Sequence, residues 1–439
     1  MAARRDDRSW WPVGAAAAFA LLLAAPAAAA PAPSDDRAIA AIRKSAAFKR
    51  AAQSLDQGHA RFVDEIIGFT EIPAPPFGEQ ARGIAFAEKL AAIGLNDIET
   101  DAVGNVMGLR RGTGAPGGPL VIVSAHLDTV FPAGTDVTVK RDGTKLSAPG
   151  IGDDSRGLAA LLAYVRALDA GRIRTRADIL FVATVGEEGP GDLRGVRHLF
   201  AASRYKDRVA AFFSVDGISP ARITNGAVGS KRYRITFRGP GGHSFGAFGI
   251  VNPMAAMARA VTDLYQIVPP ASPRTTYAAS VTGGGTSVNS IPDSVFMEFD
   301  MRSESASELD GLEARFLAIV DRAVAGENAA RSTRAGSVRA EKTRLGNRPA
   351  GTTPADAPLV RLTAAAARAT GFRPALGASS TDSNIPISLG IPAVTIGSGG
   401  TGDRAHAPDE YIDVAREESV RGLRFGLLAL IAAAGLERR

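Results

Sequence analysis

The stretch VIVSAHLDTV places His126 and Asp128 directly after an apolar run with the composition of a buried β-strand. Other acidic or histidine residues lie beyond further apolar runs or in the polar loops that follow them, namely Asp153, Glu187, Glu188, Asp216 and His406. The chain has only five histidines, and two of them belong to this set. Because ligands of open α/β sheets bind at the carboxyl ends of the strands, we expect these side chains to meet at one edge of a sheet.

Carboxylates and neutral imidazoles are the ligands that zinc and similar divalent metals prefer. Two ions about 3.5–4 Å apart need a bridging carboxylate, and each ion needs ligands of its own. His126 and Asp216 can bind one ion. Glu188 and His406 can then bind the other, with Asp153 as the bridge. The sequence therefore predicts a site for two divalent metal ions.

Two carboxylates beside these ligands have other predicted roles. Alternate residues of a strand point the same way, so Asp128 is placed to orient the imidazole of His126. Glu187 is not needed as a ligand, and a free carboxylate beside a water activated by two metal ions is a general base. We therefore expect Glu187 to take the proton of that water and pass it to the leaving amine.

The segments that must carry these residues alternate between strand and helix. Apolar strands are predicted at LVIVSA, ADILFVATVG and VAAFFSVDG. Helical periodicity lies between them, as in SRGLAALLAYVRALDAG, which ends at a glycine. This alternation is typical of an α/β domain with a mostly parallel central sheet.

Between residues 231 and 345 the pattern changes to strand, helix, two strands, helix and strand. That order is the ferredoxin-like unit. The α/β pattern resumes after it. We therefore predict a catalytic domain in two parts, residues 31–230 and 346–439, interrupted by an inserted α+β domain over residues 231–345.

The first 30 residues have the features of a secretory signal peptide. Three arginines precede an alanine-rich apolar run that ends in small residues. Pro26 interrupts the run, which favours cleavage near Ala30 over the alternative of an uncleaved membrane anchor. We therefore expect residues 1–30 to be removed and the mature protein to be exported, into a periplasm or the medium, without a stable membrane anchor.

The composition excludes several kinds of chemistry. The chain of 439 residues has no cysteine, so disulfides, thiolate metal ligands and cysteine nucleophiles are excluded. Its formal net charge is +6, and the charges are scattered rather than gathered in a basic run. This pattern does not favour a nucleic-acid partner.

The motifs SAHLDTV, GIGDDSRG, GEEG, SVDG and AHAPDE together resemble the co-catalytic zinc metallopeptidase family of glutamate carboxypeptidase G, peptidase T, aminoacylase and succinyl-diaminopimelate desuccinylase. The resemblance covers essentially the whole mature chain, including the insert. It implies two zinc ions, with cobalt or manganese as possible substitutes, and a cis peptide bond between Asp153 and Asp154. It also implies that the insert is a lid through which the protein forms a homodimer.

The resemblance extends to substrate-binding positions in the insert. His243 would polarise the scissile carbonyl, often across the dimer interface. Asn289 and Arg302 would hold the carboxylate or backbone of the substrate, a task to which the planar fork of arginine is suited. Asp382 is expected near the pocket. The chain departs from the family pattern at Ser155, where many relatives have lysine, and this leaves the subfamily open.

These motifs predict an exported dinuclear metallohydrolase that acts as an exopeptidase, similar to peptidase T or to a carboxypeptidase. An N-acyl-amino-acid deacylase or desuccinylase is the alternative, because it would use the same catalytic residues on a small N-acyl amino acid. A zinc aminopeptidase without an insert is disfavoured by residues 231–345. A non-catalytic binding protein is also disfavoured, because every ligand and the base are present.

Overall fold

The computed structural model describes residues 33–95 and 97–437, and the predicted signal peptide lies outside the described residues. Its helices are α1 (Pro33–Lys44), α2 (Ala46–Gln57), α3 (His59–Thr70), α4 (Gln80–Ile93), α5 (Arg156–Ala170), α6 (Arg194–Ala201), α7 (Pro253–Leu264), α8 (Ala306–Ala330), α9 (Pro358–Ala369), α10 (Asn384–Ser388) and α11 (Arg416–Ala434). Across the described part of the chain, none of the helices has the length and apolarity needed to span a membrane.

The strands form one sheet of nine strands, two sheets of four strands and one sheet of two strands. They are β1 (Asp97–Thr100), β2 (Val106–Arg110), β3 (Leu120–His126), β4 (Lys140–Asp142), β5 (Lys145–Ser147), β6 (Asp178–Thr184), β7 (Val209–Val215), β8 (Arg222–Ala227), β9 (Gly229–Arg238), β10 (Gly242–His243), β11 (Thr275–Gly284), β12 (Ser290–Ile291), β13 (Ser294–Ser303), β14 (Arg339–Arg348), β15 (Gly351–Thr352), β16 (Ala375–Ser379), β17 (Ala393–Ile396), β18 (Thr401–Asp403) and β19 (Tyr411–Asp413).

The larger unit is built on a mixed sheet of nine strands. Its centre consists of the parallel strands β6, β3, β7 and β17, side by side in that order. Antiparallel pairings extend the sheet at both edges, through β2 on one side and β8 on the other. The predicted α/β class is therefore confirmed, with the parallel character concentrated in the middle of the sheet.

Both faces of the central sheet are covered by helices, which explains why its strands are almost continuously apolar. On β3, Val121, Val123 and Ala125 belong to the core formed with α5 and α11. The alternate residues Leu120 and Ile122 belong to a second core formed with α6. Side chains alternate across a strand, so a strand buried on both faces needs apolar residues at every position.

The insert is a separate four-stranded antiparallel sheet with the order β11-β13-β9-β14. Helices α7 and α8 pack on it, and the element order β9-α7-β11-β13-α8-β14 is the ferredoxin-like order expected from the sequence. Its core includes the stacked rings of Phe299 and Phe316, whose centroids lie 4.4 Å apart. In sequence, the first strand of this unit begins at Gly229 and the last strand ends at Arg348.

The carboxyl ends of the parallel strands bring distant parts of the chain together. His126 is the last residue of β3, and Asp216 directly follows β7. The turn Ile151–Ser155 precedes α5 and contains Asp153, which is joined to Asp154 by the cis peptide bond that the resemblance implies. The fold therefore gathers the predicted ligands at one edge of the central sheet.

Candidate metal centre and substrate cavity

Two groups of candidate metal ligands share one carboxylate. Ligand atoms of His126, Asp153 and Asp216 all lie within 4.8 Å of one another, and those of Asp153, Glu188 and His406 meet the same limit. Oδ1 of Asp153 lies 2.8 Å from Nε2 of His126. Oδ2 of Asp153 lies 3.1 Å from Nε2 of His406. The two carboxylate oxygens thus face the two groups, as a bridging ligand must.

The charges of this cluster fit a pair of cations. Asp153, Glu188 and Asp216 bring three carboxylates into one small volume. Burial, and then the charge of Asp153, raise the pKa of Asp216 to about 7. Divalent cations supply the opposite charge that neighbouring buried carboxylates need. A donor set of imidazoles and carboxylates suits zinc and related ions, so these residues fit two divalent metals.

The two histidines of the cluster bind protons strongly. Burial lowers the pKa of His126, but hydrogen bonds to Asp128 and Asp153 outweigh it and the pKa rises well above its ordinary value. Hydrogen bonds to Asp153 and Glu188 raise the pKa of His406 to about 10. Metals bind the neutral imidazole, so metal binding at this site is coupled to proton release.

Asp128 connects the two strands that carry the site. Its backbone oxygen lies 3.0 Å from Nδ1 of His126, and its Oδ1 lies 3.7 Å from the same nitrogen. The Asp128 carboxylate also accepts the backbone N–H groups of Glu187 at 3.0 Å and Glu188 at 2.8 Å. Asp128 therefore positions the adjacent glutamates as well as the imidazole. The sequence did not predict these bonds, because they require β6 to lie beside β3.

Glu187 has a charged partner that the sequence did not reveal. Nη1 of Arg348 donates to Oε1 of Glu187 at 3.0 Å, and Nη2 donates to the Glu187 backbone oxygen. Both side chains are buried. Burial raises the pKa of Glu187 well above its ordinary value, and the charge of Arg348 opposes that rise. Arg348 is the last residue of β14, so the insert's final strand delivers it to the site.

Glu410 is the second residue that sequence reasoning missed. Its carboxylate accepts the backbone N–H groups of Gly150 at 2.8 Å, Gly152 at 2.8 Å and Asp153 at 3.0 Å. These bonds fix the turn that carries the bridging carboxylate. Glu410 lies four residues after His406, so one segment supplies a ligand and also holds Asp153. The motif AHAPDE contains both residues, but its contact with the turn exists only in the folded chain.

Asp382 is buried next to a residue that lines the cavity of the candidate site. The hydroxyl of Thr184 donates to its Oδ2 at 2.6 Å, and its side chain is buried. Burial raises the pKa of Asp382 to about 6, against the opposing effect of that hydrogen bond. Its neighbour Thr381 lines the cavity described next, and Asp382 does not.

A cavity of about 600 Å³ leads away from the candidate metal ligands, and its size is ordinary for a small-molecule site. Asp153, Glu187, Glu188, Asp216 and His406 line one part of it. Four arginines also line it, namely Arg222, Arg232, Arg302 and Arg348. Arg302, a residue predicted to bind substrate, therefore lies on the same cavity as the metal ligands.

His243 and Asn289 lie on a different cavity, of about 410 Å³, within the insert. The backbone N–H of Ser244 donates to the backbone oxygen of Asn289 at 2.8 Å, and the short strands β10 and β12 pair beside this bond. Neither residue lines the metal cavity of its own chain. A single chain therefore brings Arg302, but not His243 or Asn289, to the candidate ligands.

The family model for Peptidase family M20/M25/M40 matches residues 122–430. The chain belongs to this family. Succinyl-diaminopimelate desuccinylase from Burkholderia mallei is 30% identical over 258 residues, which are 54% of this chain and 66% of the desuccinylase. The match thus spans just under two thirds of that relative. The family predicted from the motifs is confirmed.

Solved structures share the fold of this M20 chain. Aminopeptidase PepT from Bacillus cereus superposes with a TM-score of 0.69 at 20% identity, over 86% of this chain and 99% of PepT. A dinuclear metal-binding peptidase of the M20 family from Bacillus subtilis superposes with a TM-score of 0.62 at 18% identity, over 85% of this chain and 98% of the other. Identities at this level establish the fold alone.

Family membership and the ligand geometry together establish the broad chemistry. The M20 chain is a metal-dependent hydrolase of the peptidase and amidohydrolase kind. Its candidate ligands form three overlapping groups, of which two share Asp153 and the third consists of His126, Glu187 and Glu188.

Proposed function

We propose that the protein is an exported dinuclear metallohydrolase that removes residues from short peptides as an exopeptidase. One observation carries the proposal: a buried glutamate, Glu187, lies beside two ligand groups that share Asp153, and all of these residues line one cavity or adjoin it. A shared carboxylate fits two metal ions, and a further carboxylate beside them fits a general base.

The residues of the chain divide the chemistry among them. When bound, the two divalent ions supply the positive charge that activates a water and polarises the scissile carbonyl. Glu187 accepts the proton of the water and returns it to the leaving amine. Burial favours this role because it raises the pKa of the carboxyl towards neutrality, while Arg348 keeps the group orientated through Oε1.

The cavity supports a short substrate with a free terminus. Its volume of about 600 Å³ suits a small molecule rather than a polypeptide segment. Arg302 lines it and offers a guanidinium of the geometry that matches a carboxylate. A terminal carboxylate held at a fixed place relative to the metal ions would select the bond nearest that terminus, which is exopeptidase behaviour.

The second candidate is an N-acyl-amino-acid deacylase or desuccinylase. The similarity to succinyl-diaminopimelate desuccinylase supports it. The reaction is again hydrolysis of an amide, and Glu187 and the metal ligands would play the same parts. The two candidates differ only in whether the acyl group of the amide is an amino acid or a simple acid.

Export and dimerisation form part of the proposal. The arginine-containing start and alanine-rich run of residues 1–30 support a cleaved signal peptide. The exposed position of His243 in the insert supports a homodimer, since a partner subunit could receive this side chain. Zinc is the metal we propose, with cobalt or manganese able to replace it.

The test is a substrate panel. Residues 31–439, loaded with zinc or cobalt, would be assayed with di- and tripeptides and with N-acetyl and N-succinyl amino acids. We expect chelator-sensitive release of amino acids from free peptides, and the products identify the terminus that is cut. Cleavage of the acyl substrates alone would assign the second candidate. No hydrolysis of any amide by protein with two bound metals would overturn both.

A further inference from the structure

The four arginines of the metal cavity differ in how their charges are balanced. Arg348 is paired with Glu187 at 3.0 Å. Arg232 and Arg302 share Asp300, at 3.0 Å and 2.7 Å respectively. Two carboxylates therefore form ion pairs with these three arginines and balance most of their charge.

Arg222 has no such partner. No carboxylate of a described residue lies within ion-pair distance of its guanidinium. Arg222 is solvent-exposed, and its Nη2 donates to the backbone oxygen of Ala378 at 2.8 Å, which fixes the guanidinium without a protein carboxylate to balance its charge. Gly377 of the neighbouring strand β16 lies beside Arg222, and a Cβ at Gly377 would lie 3.7 Å from Nε of Arg222. Only backbone therefore covers that side of the guanidinium.

Residues with hydroxyl side chains line the same cavity as Arg222. Thr224 lies two residues further along β8, and residues two apart on a strand share a face. Both line the cavity, as does Ser379, which directly follows the residue whose carbonyl holds Arg222. A guanidinium and hydroxyl donors that line the same cavity are suited to bind a carboxylate.

We propose that Arg222 is an anion subsite of the metal cavity and that the substrate carries a second carboxylate, in addition to any held by Arg302. The inference rests on the proposed function, because it assigns a specificity to the same hydrolytic site. The second carboxylate belongs either to an acidic side chain of a peptide or to a dicarboxylic acyl group. Both sources present the same chemistry to the guanidinium.

The charge of the cavity supports this assignment. Its four arginines are matched by only two carboxylates outside the ligand groups that share Asp153, namely Glu187 and Asp300, so an excess of positive charge remains. A neutral substrate leaves that excess unbalanced, whereas a substrate with two carboxylates balances it. Charge complementarity of this kind selects among substrates that share one scissile bond.

Isosteric substrate pairs and one arginine variant test the subsite. The metal-loaded mature protein is assayed with three pairs of substrates. The peptide pairs are Ala-Glu with Ala-Gln and Glu-Ala with Gln-Ala. The third pair is an N-succinyl amino acid and the analogue in which the free carboxylate of the succinyl group is a carboxamide. We expect kcat/KM to favour the charged member of at least one pair by about tenfold, the effect of one charge-assisted hydrogen bond in a partly solvated site. The pair that responds identifies the source of the carboxylate.

The variant Arg222→Gln should abolish that preference by lowering kcat/KM for the charged member while sparing the neutral one. Arg373→Gln is the matched control, because Arg373 is exposed and does not line the cavity. It should leave every ratio unchanged. Equal rates within all pairs for the wild type, or equal losses for charged and neutral members in Arg222→Gln, would overturn the subsite.

A binding measurement separates failure of the subsite from failure of the proposed function. If no amide is hydrolysed, the hydrolytic proposal fails, yet calorimetry with glutamate and glutamine still reports on Arg222. Tighter binding of glutamate that is lost in Arg222→Gln supports the subsite without any turnover. Equal affinity for the two probes in the wild type overturns it.

Discussion

His126 at the candidate metal centre and His243 in the insert differ in burial and in the partners that their own chain provides. His126 is buried and its two ring nitrogens face Asp128 and Asp153. His243 is exposed, and its Nδ1 accepts only the backbone N–H groups of Phe245 and Gly246, each at 3.2 Å. The ring of His126 is therefore surrounded by residues of its own chain, whereas the ring of His243 is exposed at the surface of the insert.

That difference separates the chemistry into two parts. Because Nδ1 of His243 accepts hydrogen bonds, the neutral ring carries its proton on Nε2, which is then available as a donor to a carbonyl oxygen. The exposed rings of Phe245 and Phe248 lie in the same loop, and exposed apolar groups of this kind mark contact surfaces. One chain thus holds the candidate metal ligands and the proposed base, and it presents the proposed carbonyl-polarising donor at its surface.

The largest expected effect comes from the base at the metal centre. We expect Glu187→Gln to lower kcat by about 10²–10⁴-fold, the range for loss of a positioned general base. Both metal ions should remain bound, because the two ligand groups that share Asp153 are complete without Glu187, which belongs only to the group with His126 and Glu188. Steady-state kinetics and metal analysis on the same preparation would measure this.

Asp153→Asn is the contrasting variant for that experiment. It weakens the residue common to both ligand groups, so metal content should fall along with activity. Loss of metal from Glu187→Gln as well would contradict the separation of base and ligands. Full activity in Glu187→Gln would remove Glu187 from the mechanism.

A smaller effect is expected at the insert's histidine. His243→Ala should lower kcat by about 10²–10³-fold, as removal of a carbonyl-polarising donor does, with metal content unchanged. If His243 serves the partner subunit, mixing His243→Ala with Glu187→Gln should restore roughly a quarter of the wild-type rate, because half of the dimers are mixed and each has one intact site. Mixtures that stay inactive would show that His243 does not act in the partner's site.

The sequence predicted that the candidate metal ligands lie close together, because each lies at the end of an apolar run or in the polar loop beyond it, and the ends of parallel strands meet at one edge of the sheet. It did not predict Arg348, which lies 161 positions from Glu187, or Glu410, which lies 260 positions from Gly150. Nothing local marks such contacts, since they depend on which strand and loop the fold brings alongside.

The Arg222 subsite shows the same limit. An arginine at the start of a strand has no sequence signal that separates it from a surface residue. Its position on the metal cavity follows from β16 pairing with β8, which places the Ala378 carbonyl where Nη2 can reach it. Ligands dictated by strand ends are therefore predictable, whereas residues that shape specificity are found only in the folded chain.

The smallest expected effect concerns the buried carboxyl behind the metal cavity. The pKa of Asp382 is about 6 in the folded protein and ordinarily 3.8, so the folded state retains its proton over a pH range in which the unfolded chain has lost it. The free energy of unfolding should therefore fall as the pH rises from about 4 to 6, by up to about 3 kcal/mol from this group. Asp382→Asn should remove this part of the pH dependence.

Urea unfolding of both proteins at pH 4 and at pH 8 would measure the difference. The variant should gain stability relative to the wild type at pH 8 and not at pH 4, because the wild-type carboxyl is charged only at the higher pH. Asp142→Asn, at an exposed position of β4, is the control and should leave the pH dependence unchanged. Parallel pH dependences for Asp382→Asn and the wild type would mean that Asp382 does not hold its proton in the folded state.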